Sequence, residues 1–166
     1  NTMNRMKILV VDDEREIRTT LSEILAEEGY DVALAGTAAE AEAALGTNVD
    51  LVVLDIKLGE ENGIDLLKRL KNRSPHLPVI MITGHGSIAL ASQAFKLGAH
   101  DFLEKPLRLL QVRTCIRNAL EGVTLRRQLE AQKGNATPRP LYVSKIMGDL
   151  FAQAARLASL KEPVVI

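Results

Sequence analysis

The 166-residue sequence is poor in cysteine and in aromatic side chains: it has one Cys, no Trp and 3% aromatic residues. Cys115 has no disulfide partner within the chain, which excludes a disulfide scaffold and fits a reducing compartment. Long apolar runs are also absent, because the longest, as at residues 51–54, are too short to span a membrane. No basic start followed by a long apolar segment indicates a secretory signal. These absences predict a cytoplasmic globular protein without a membrane partner.

Acidic and basic residues are equal in number, 21 of each, but they are unevenly distributed. Residues 1–104 contain 17 acidic and 10 basic residues, whereas residues 105–166 contain 4 and 11. The acidic first part is unsuited to binding nucleic acid, but its carboxylates suit a binding site for a divalent cation. We interpret the basic second part as a solvated helix face rather than a contact surface for an acidic partner.

Apolar runs rich in β-forming residues alternate with amphipathic helical patterns along the first 125 residues. The runs cover residues 8–11, 31–35, 51–54, 79–82 and 101–103. They are continuous rather than alternating, which is typical of parallel strands covered on both faces. Five β-α repeats therefore predict a doubly wound α/β domain with a five-stranded parallel sheet. Gly29, Gly46 and Gly98 stand where helices are expected to end.

The fifth helical pattern begins just after Pro106 and continues to about Lys133, which predicts an extended fifth helix. Leu109, Ile116 and Val123 recur every seven residues along it. This spacing predicts a coiled-coil seam with a second copy of the chain.

The domain organisation follows from these patterns. Residues 1–6 show no periodicity and are expected to be a tag or a disordered start. The main domain is predicted at 7–125, followed by a linker at 126–141 that consists of the helix extension and the sequence GNATPRP. Residues 142–166 have an amphipathic helical pattern and then the beginning of a strand, which predicts a C-terminal helical appendage cut off within a domain.

Residues whose side chains can react or bind a ligand stand at the ends of four predicted strands. Asp12 and Asp13 follow the first strand, Asp55 the third, Thr83 the fourth and Lys105 the fifth. Ligands of open parallel sheets bind at the carboxyl ends of the strands, where the three carboxylates are expected to converge. They would repel one another without a cation, and an oxygen-only ligand set favours Mg²⁺. A carboxylate beside Mg²⁺ can attack a phosphoryl group, which a hydroxyl and a lysine can then contact.

A nucleotide-binding enzyme is the main alternative from a different class. Residues 84–89 fit G-x-G-x-x-G/A after a strand and before a helix. That motif normally occupies the first β-α turn, but here the first turn carries Asp12, Asp13 and Glu14, which disfavour a pyrophosphate. The chain is also too short for a substrate domain. An aspartate-nucleophile phosphatase is disfavoured because D-x-D is missing after the first strand.

The sequence resembles the response-regulator receiver domain of bacterial two-component signalling. The residues that carry the resemblance are VVDDE at 10–14, LDIKLGEENG at 54–63, MITGHG at 81–86 and AHDFLEKPL at 99–107. The resemblance implies a flavodoxin-like fold with strand order 2-1-3-4-5 and phosphorylation of Asp55 by a sensor histidine kinase. It also implies that the fragment is a phosphoacceptor switch and not an enzyme.

The resemblance assigns a role to each motif residue. Mg²⁺ is expected to be bound by Asp13, Asp55 and the backbone carbonyl of Lys57, with Asp12 acting largely through water. Thr83 and Lys105 are expected to sense the phosphoryl group. Phe102 stands three residues before Lys105, where the family has a switch aromatic.

The sequence departs from the family at Gly59, where proline is usual, and a more mobile loop is expected there. Lys57 and His85 occupy variable positions that flank the phosphoryl group. Either cation could shield the acyl phosphate or orient water for dephosphorylation, and the sequence does not choose between them.

The stretch at 82–107 is similar to receivers attached to NtrC-type, sigma-54-dependent activators, and 142–166 is similar to the start of their AAA+ ATPase domain. The resemblance implies a homodimer whose contacts change on phosphorylation. In a full-length protein it implies partners in the AAA+ domain, sigma-54 RNA polymerase and DNA. A degenerate receiver that serves only as a dimerisation module is the alternative within this class.

Overall fold

The computed structural model describes residues 5–84 and 88–135. The strands are β1 (Lys7–Val11), β2 (Asp31–Ala35), β3 (Leu51–Asp55), β4 (Lys57–Leu58), β5 (Glu61–Asn62), β6 (Val79–Thr83) and β7 (Asp101–Glu104). The helices are α1 (Arg15–Glu27), α2 (Ala38–Ala44), α3 (Gly63–Arg73), α4 (Ile88–Lys96) and α5 (Leu109–Asn135), and a short 3₁₀ turn covers Leu45–Thr47. His85, residues 136–141 of the predicted linker and the predicted appendage at 142–166 lie outside the described residues.

Five strands form one parallel sheet in the order β2-β1-β3-β6-β7. Counting only the strands of this sheet, the order is 2-1-3-4-5, which confirms the predicted doubly wound, flavodoxin-like topology. β4 and β5 form a separate antiparallel hairpin that the sequence analysis missed. Strands of two residues are too short to produce a recognisable hydrophobic period.

Apolar side chains fill both faces of the sheet. Leu9, Val52 and Met81 point to the face covered by α2, α3 and α4, whereas their neighbours Ile8 and Val53 point to the face covered by α1 and α5. Every residue of the central strands β3 and β6 is buried. This two-sided burial explains why these strands appear in the sequence as continuous apolar runs.

Glycines stand at the ends of three helices, as predicted. Gly29 and Gly98 have φ angles of +90° and +102°, as expected for left-handed residues that end helices. Gly46 directly follows Leu45, the C-terminal cap residue of α2, and so stands at the predicted helix end, but it does not have a positive φ. Gly46 lies within the 3₁₀ turn, and Asn48, with φ +59°, is the left-handed residue. Asn tolerates this conformation because its short polar side chain hydrogen-bonds locally.

The extended fifth helix is present, but its heptad does not form a seam. Ile116 is fully buried in the core of its own domain, and Val123 packs against the same core. The predicted coiled-coil role of these two residues was therefore wrong, because a helix that covers a sheet also repeats apolar residues about every seven positions. Leu109, the third member, is 45% exposed. The helix continues through Gly134 and Asn135, where the sequence predicted GNATPRP to begin.

Residues 1–124 form one compact unit, and residues from 125 onward belong to a second. The described part of the second unit is the end of α5, where Leu125 and Leu129 are exposed. Among the described helices, none combines the length and the apolar character that crossing a bilayer requires.

Candidate functional site

The carboxyl ends of β1 and β3 bring three aspartates together. Asp12, Asp13 and Asp55 each place a carboxylate oxygen within 4.8 Å of the others. Asp12 and Asp55 are buried, whereas Asp13 is exposed. The convergence predicted from the strand ends is therefore found, and it results from the direct pairing of β1 with β3.

Backbone groups fix the two buried carboxylates. The backbone N–H of Glu14 donates to Asp12 Oδ1 at 2.8 Å, and that of Lys57 donates to Asp55 Oδ1 at 3.1 Å. Arg18 of α1 donates to the carbonyl oxygen of Asp12 at 2.6 Å. These contacts orient the carboxylates before any ligand binds.

Lys105 enters the site from the end of β7. Its Nζ lies 3.1 Å from Asp55 Oδ2, 3.5 Å from Asp12 Oδ2 and 3.0 Å from Glu14 Oε1. Its backbone N–H donates to the carbonyl of Thr83 at 2.8 Å, and its peptide bond to Pro106 is cis. Burial alone would lower the pKa of Lys105, but the hydrogen bonds to Glu14 and Asp55 and the charges of Asp55 and Asp12 outweigh it. The pKa is therefore raised, and Lys105 stays charged.

The surroundings of Asp12 raise the pKa of its carboxyl group. Burial, reinforced by the charge of Asp55, raises its pKa from 3.8 to about 7, although the Glu14 N–H and Lys105 oppose the shift. Its Oδ2 is buried and has no hydrogen-bond partner among the described residues. A buried carboxylate oxygen that accepts no hydrogen bond from the described part of the chain and lies close to two further aspartates belongs to a set of ligands that fits a hard divalent cation such as Mg²⁺. The chemistry of these residues therefore agrees with the predicted Mg²⁺ site.

The hairpin β4–β5 borders the site. Its two-residue turn begins at Gly59, whose φ is +59°. A β-carbon at Gly59 would lie 3.8 Å from Asp13 Oδ2. Proline, which the family usually has here, cannot adopt this conformation because its ring fixes φ near about −65°. The side chain of Lys57, on β4, is exposed.

Thr83, an expected sensing residue, and Phe102, the expected switch aromatic, lie on neighbouring strands. Thr83 is buried at the end of β6, and β6 pairs with β7. Phe102 on β7 is 38% exposed and packs edge-to-face on Phe95 of α4, with 5.7 Å between the ring centroids. The ring of Phe102 therefore stands on the outer surface.

Two contacts of this site were missed from sequence. Glu14 was noted only as unfavourable to a pyrophosphate, and Arg18 was not singled out. Lys105 and Glu14 are 91 positions apart, so no local pattern relates them. Only the doubled aspartate immediately before Glu14 marks its neighbourhood as functional.

Comparison with known proteins identifies the class. Residues 8–117 match the response regulator receiver domain family, and the chain belongs to that family. The G-x-G-x-x-G/A pattern at 84–89 lies within the stretch that matches the receiver domain family.

Two relatives of known name are regulatory proteins. The chain is 42% identical over 132 residues to the alginate biosynthesis transcriptional regulatory protein AlgB of Pseudomonas putida, covering 79% of this chain and 30% of AlgB. It is 38% identical over 165 residues to the response regulator protein PilR of Pseudomonas aeruginosa, covering 99% of this chain and 36% of PilR. The chain thus spans about a third of the length of these relatives.

A solved structure supports the same fold. The beryllofluoride-activated NtrC4 receiver domain, solved as a dimer in solution, matches with a TM-score of 0.66 and 41% identity. The match covers 69% of this chain and 96% of the NtrC4 receiver.

Proposed function

We propose that this chain is the phosphoacceptor switch of a bacterial transcription regulator, phosphorylated on Asp55 by a sensor histidine kinase in the cytoplasm. The observation that carries the proposal is the placement of the Asp55 carboxylate. It ends the buried strand β3, lies beside Asp12 and Asp13, and accepts a hydrogen bond from Lys105 at 3.1 Å. A buried nucleophile with a fixed orientation and a cation beside it suits phosphoryl transfer.

Asp55 supplies the nucleophile of the proposed reaction. A carboxylate oxygen forms a bond to phosphorus while the bond from phosphorus to the donor nitrogen breaks. The leaving imidazole nitrogen keeps the electron pair and takes up a proton. Mg²⁺, held by Asp12, Asp13, Asp55 and the carbonyl of Lys57, would neutralise charge on the phosphoryl oxygens. Lys105 supplies a further positive charge from within the chain.

The switch is proposed to pass from Thr83 to Phe102. The Thr83 hydroxyl moves to the new phosphoryl group, and Phe102 turns inward from its position against Phe95. Packed rings occupy discrete arrangements, so this movement biases an equilibrium between two states. The exposure of Phe102 and the burial of Thr83 support this sequence of movements from an unphosphorylated state.

A homodimer is the proposed readout. Phe95, Phe102, Leu109 and Leu110 are exposed apolar residues on α4, β7 and the start of α5. Phe95 and Phe102 are in contact, and exposed apolar patches are typical of interaction sites. The NtrC4 receiver, a relative of this chain, is a dimer when activated.

The domain assignment remains part of the proposal. We assign the receiver to 7–125, the linker to 126–141 and the start of an AAA+ domain to 142–166, supported by the similarity to PilR over 165 residues. The full-length protein would then act on sigma-54 RNA polymerase at DNA. AlgB, whose name describes a transcriptional regulator, supports this class. Lys57 and His85 remain candidates for tuning dephosphorylation.

The intact mass after incubation with acetyl phosphate and Mg²⁺ tests the proposal. We expect the wild type and Asp31→Asn, a control at an exposed aspartate, each to gain one phosphoryl group. Asp55→Asn should gain none. Labelling of Asp55→Asn would contradict the assignment of the phosphorylated residue. A folded wild type that gains no label from this donor or from a histidine kinase would instead favour the degenerate dimerisation module.

A further inference from the structure

The contact between Glu14 and Lys105 has no role in the function proposed above. Glu14 Oε1 lies 3.0 Å from Lys105 Nζ, which is shorter than the distances from Nζ to Asp55 and Asp12. The Glu14 side chain is 58% exposed and that of Lys105 only 22% exposed. Glu14 is therefore the solvent-exposed acid among the three that contact the ammonium, since Asp12 and Asp55 are buried.

The N–H donors of the Lys105 ammonium already have acidic acceptors or neighbours in this structure. An ammonium has three N–H donors. One donates to Glu14 and one to Asp55, and the third has Asp12 Oδ2 at 3.5 Å as its nearest acidic neighbour. A phosphoryl group on Asp55 needs one or more of these donors, so an existing contact has to break.

Glu14 is the acid that competes for the Lys105 ammonium both before and after phosphorylation of Asp55. Asp55 is the proposed phosphorylated residue and Asp12 a proposed metal ligand. Bound Mg²⁺ would therefore neutralise their negative charges during phosphorylation. Glu14 is neither. Its backbone is fixed by the hydrogen bond to Asp12 Oδ1, which keeps its side chain within reach of Lys105. Its side chain makes no capping hydrogen bond to α1.

We propose that Glu14 is a positioning residue that occupies one N–H donor of the Lys105 ammonium, which the incoming phosphoryl group needs, and so slows phosphorylation of Asp55. This role rests on the proposed function, because it concerns the same nucleophile. Loss of Glu14 frees one ammonium donor without removing a ligand or the nucleophile. The expected gain is roughly two- to fivefold in rate, the size typical of one partly exposed ion pair.

A double-mutant cycle tests this role through the rate of labelling by subsaturating acetyl phosphate with Mg²⁺. We expect Glu14→Ala to react roughly two- to fivefold faster than the wild type. Glu16→Ala removes the same charge from the first turn of the same helix and should react like the wild type. In a Lys105→Ala background, Glu14→Ala should have no further effect, because the residue through which it acts is absent.

Three outcomes would overturn the role. These are an unchanged or slower Glu14→Ala, the same acceleration in the Lys105→Ala background, and an equal acceleration in Glu16→Ala. The last two would indicate general charge repulsion instead. A wild type that is not labelled at all would overturn the proposed function itself.

Hydrogen exchange of the Lys105 ammonium, followed by ¹⁵N NMR, is a second measurement that needs no labelling. Exchange should be faster in Glu14→Ala than in the wild type, and equal rates would overturn the contact.

Discussion

Gly63, the first residue of α3, packs directly against the backbone of Asp55. A β-carbon at Gly63 would overlap the Asp55 carbonyl oxygen and lie 2.9 Å from Ile56 Cα. The Gly63 N–H donates to the Ile56 carbonyl at 2.6 Å. The chain that follows the proposed nucleophile is thus held by a contact that only glycine permits.

Gly63→Ala is expected to destabilise the protein by about 2–4 kcal/mol, because backbone atoms must move to admit the methyl group. Chemical unfolding measures the change. Gly122→Ala is the control, since Gly122 lies within α5 with no atom within 4 Å of its added β-carbon. That change should stabilise by about 0.5–1 kcal/mol through helix propensity. Equal stability of Gly63→Ala and the wild type would contradict the contact.

Gly59→Pro is expected to destabilise the protein by about 1–3 kcal/mol, even though proline is usual here in the family. The turn of the hairpin requires a φ of +59° at residue 59, which the proline ring forbids. Gly59→Asn should cost less, because Asn tolerates left-handed φ angles. Thermal unfolding of the two variants gives the comparison, and a proline variant as stable as the wild type would show that the turn rearranges.

Lys105→Ala is expected to leave Mg²⁺ binding intact or tighten it about two- to fivefold, because a positive charge near Asp12 and Asp55 is removed. Calorimetric titration with Mg²⁺ checks this expectation. The same variant should lose the change in dimerisation on phosphorylation, measured by analytical ultracentrifugation. Lys68→Ala, at an exposed lysine of α3, is the control. A wild-type dimer response in Lys105→Ala would argue against a sensing role.

The contribution of Asp12 to stability without Mg²⁺ is expected to fall as the pH rises from about 4 to about 7. Burial raises the pKa of Asp12 from 3.8 to about 7, so in this range the folded protein holds a proton that the unfolded chain has released. Deprotonation of Asp12 therefore lowers the free energy of unfolding as the pH rises. This loss of stability is complete above the pKa of Asp12 in the folded protein. Stabilisation by Mg²⁺, which binds the ionised form, should increase over the same range.

Urea unfolding at several pH values, with and without Mg²⁺, measures this dependence. Asp12→Asn should remove this contribution to the slope and most of the stabilisation by Mg²⁺. A slope in the variant equal to that of the wild type would show that another group titrates.

Much of the fold follows from local patterns in the sequence. The five strands of the sheet were placed to within one residue at each end, because central parallel strands are buried on both faces and form short apolar runs. The boundaries of α5 were less accurate. Leu107 and Arg108 precede the helix although they follow Pro106 directly, and Gly134 continues it. Helix ends depend on the contacts of single turns, which composition describes poorly.

The heptad of α5 shows where pattern reasoning fails. Ile116 and Val123 repeat at a spacing that fits a coiled-coil seam and also fits a helix lying on a sheet. The spacing indicates only that one face of α5 is apolar. The packing of α5 on the sheet decides which surface covers that side, and here it is the core of the same domain.

The sequence by itself determined the chemical set of the site: aspartates after two strands, Thr83 after a third and Lys105 after a fourth. It could do so because strand ends are local, and parallel strands bring their carboxyl ends to one edge. Only the tertiary structure decided the differences within the set. Burial separates Asp12 from the exposed Asp13, and the approach of distant segments places Glu14 against Lys105. Solvent exclusion and contacts across 91 positions arise only when the whole chain has folded, so no local pattern contains them.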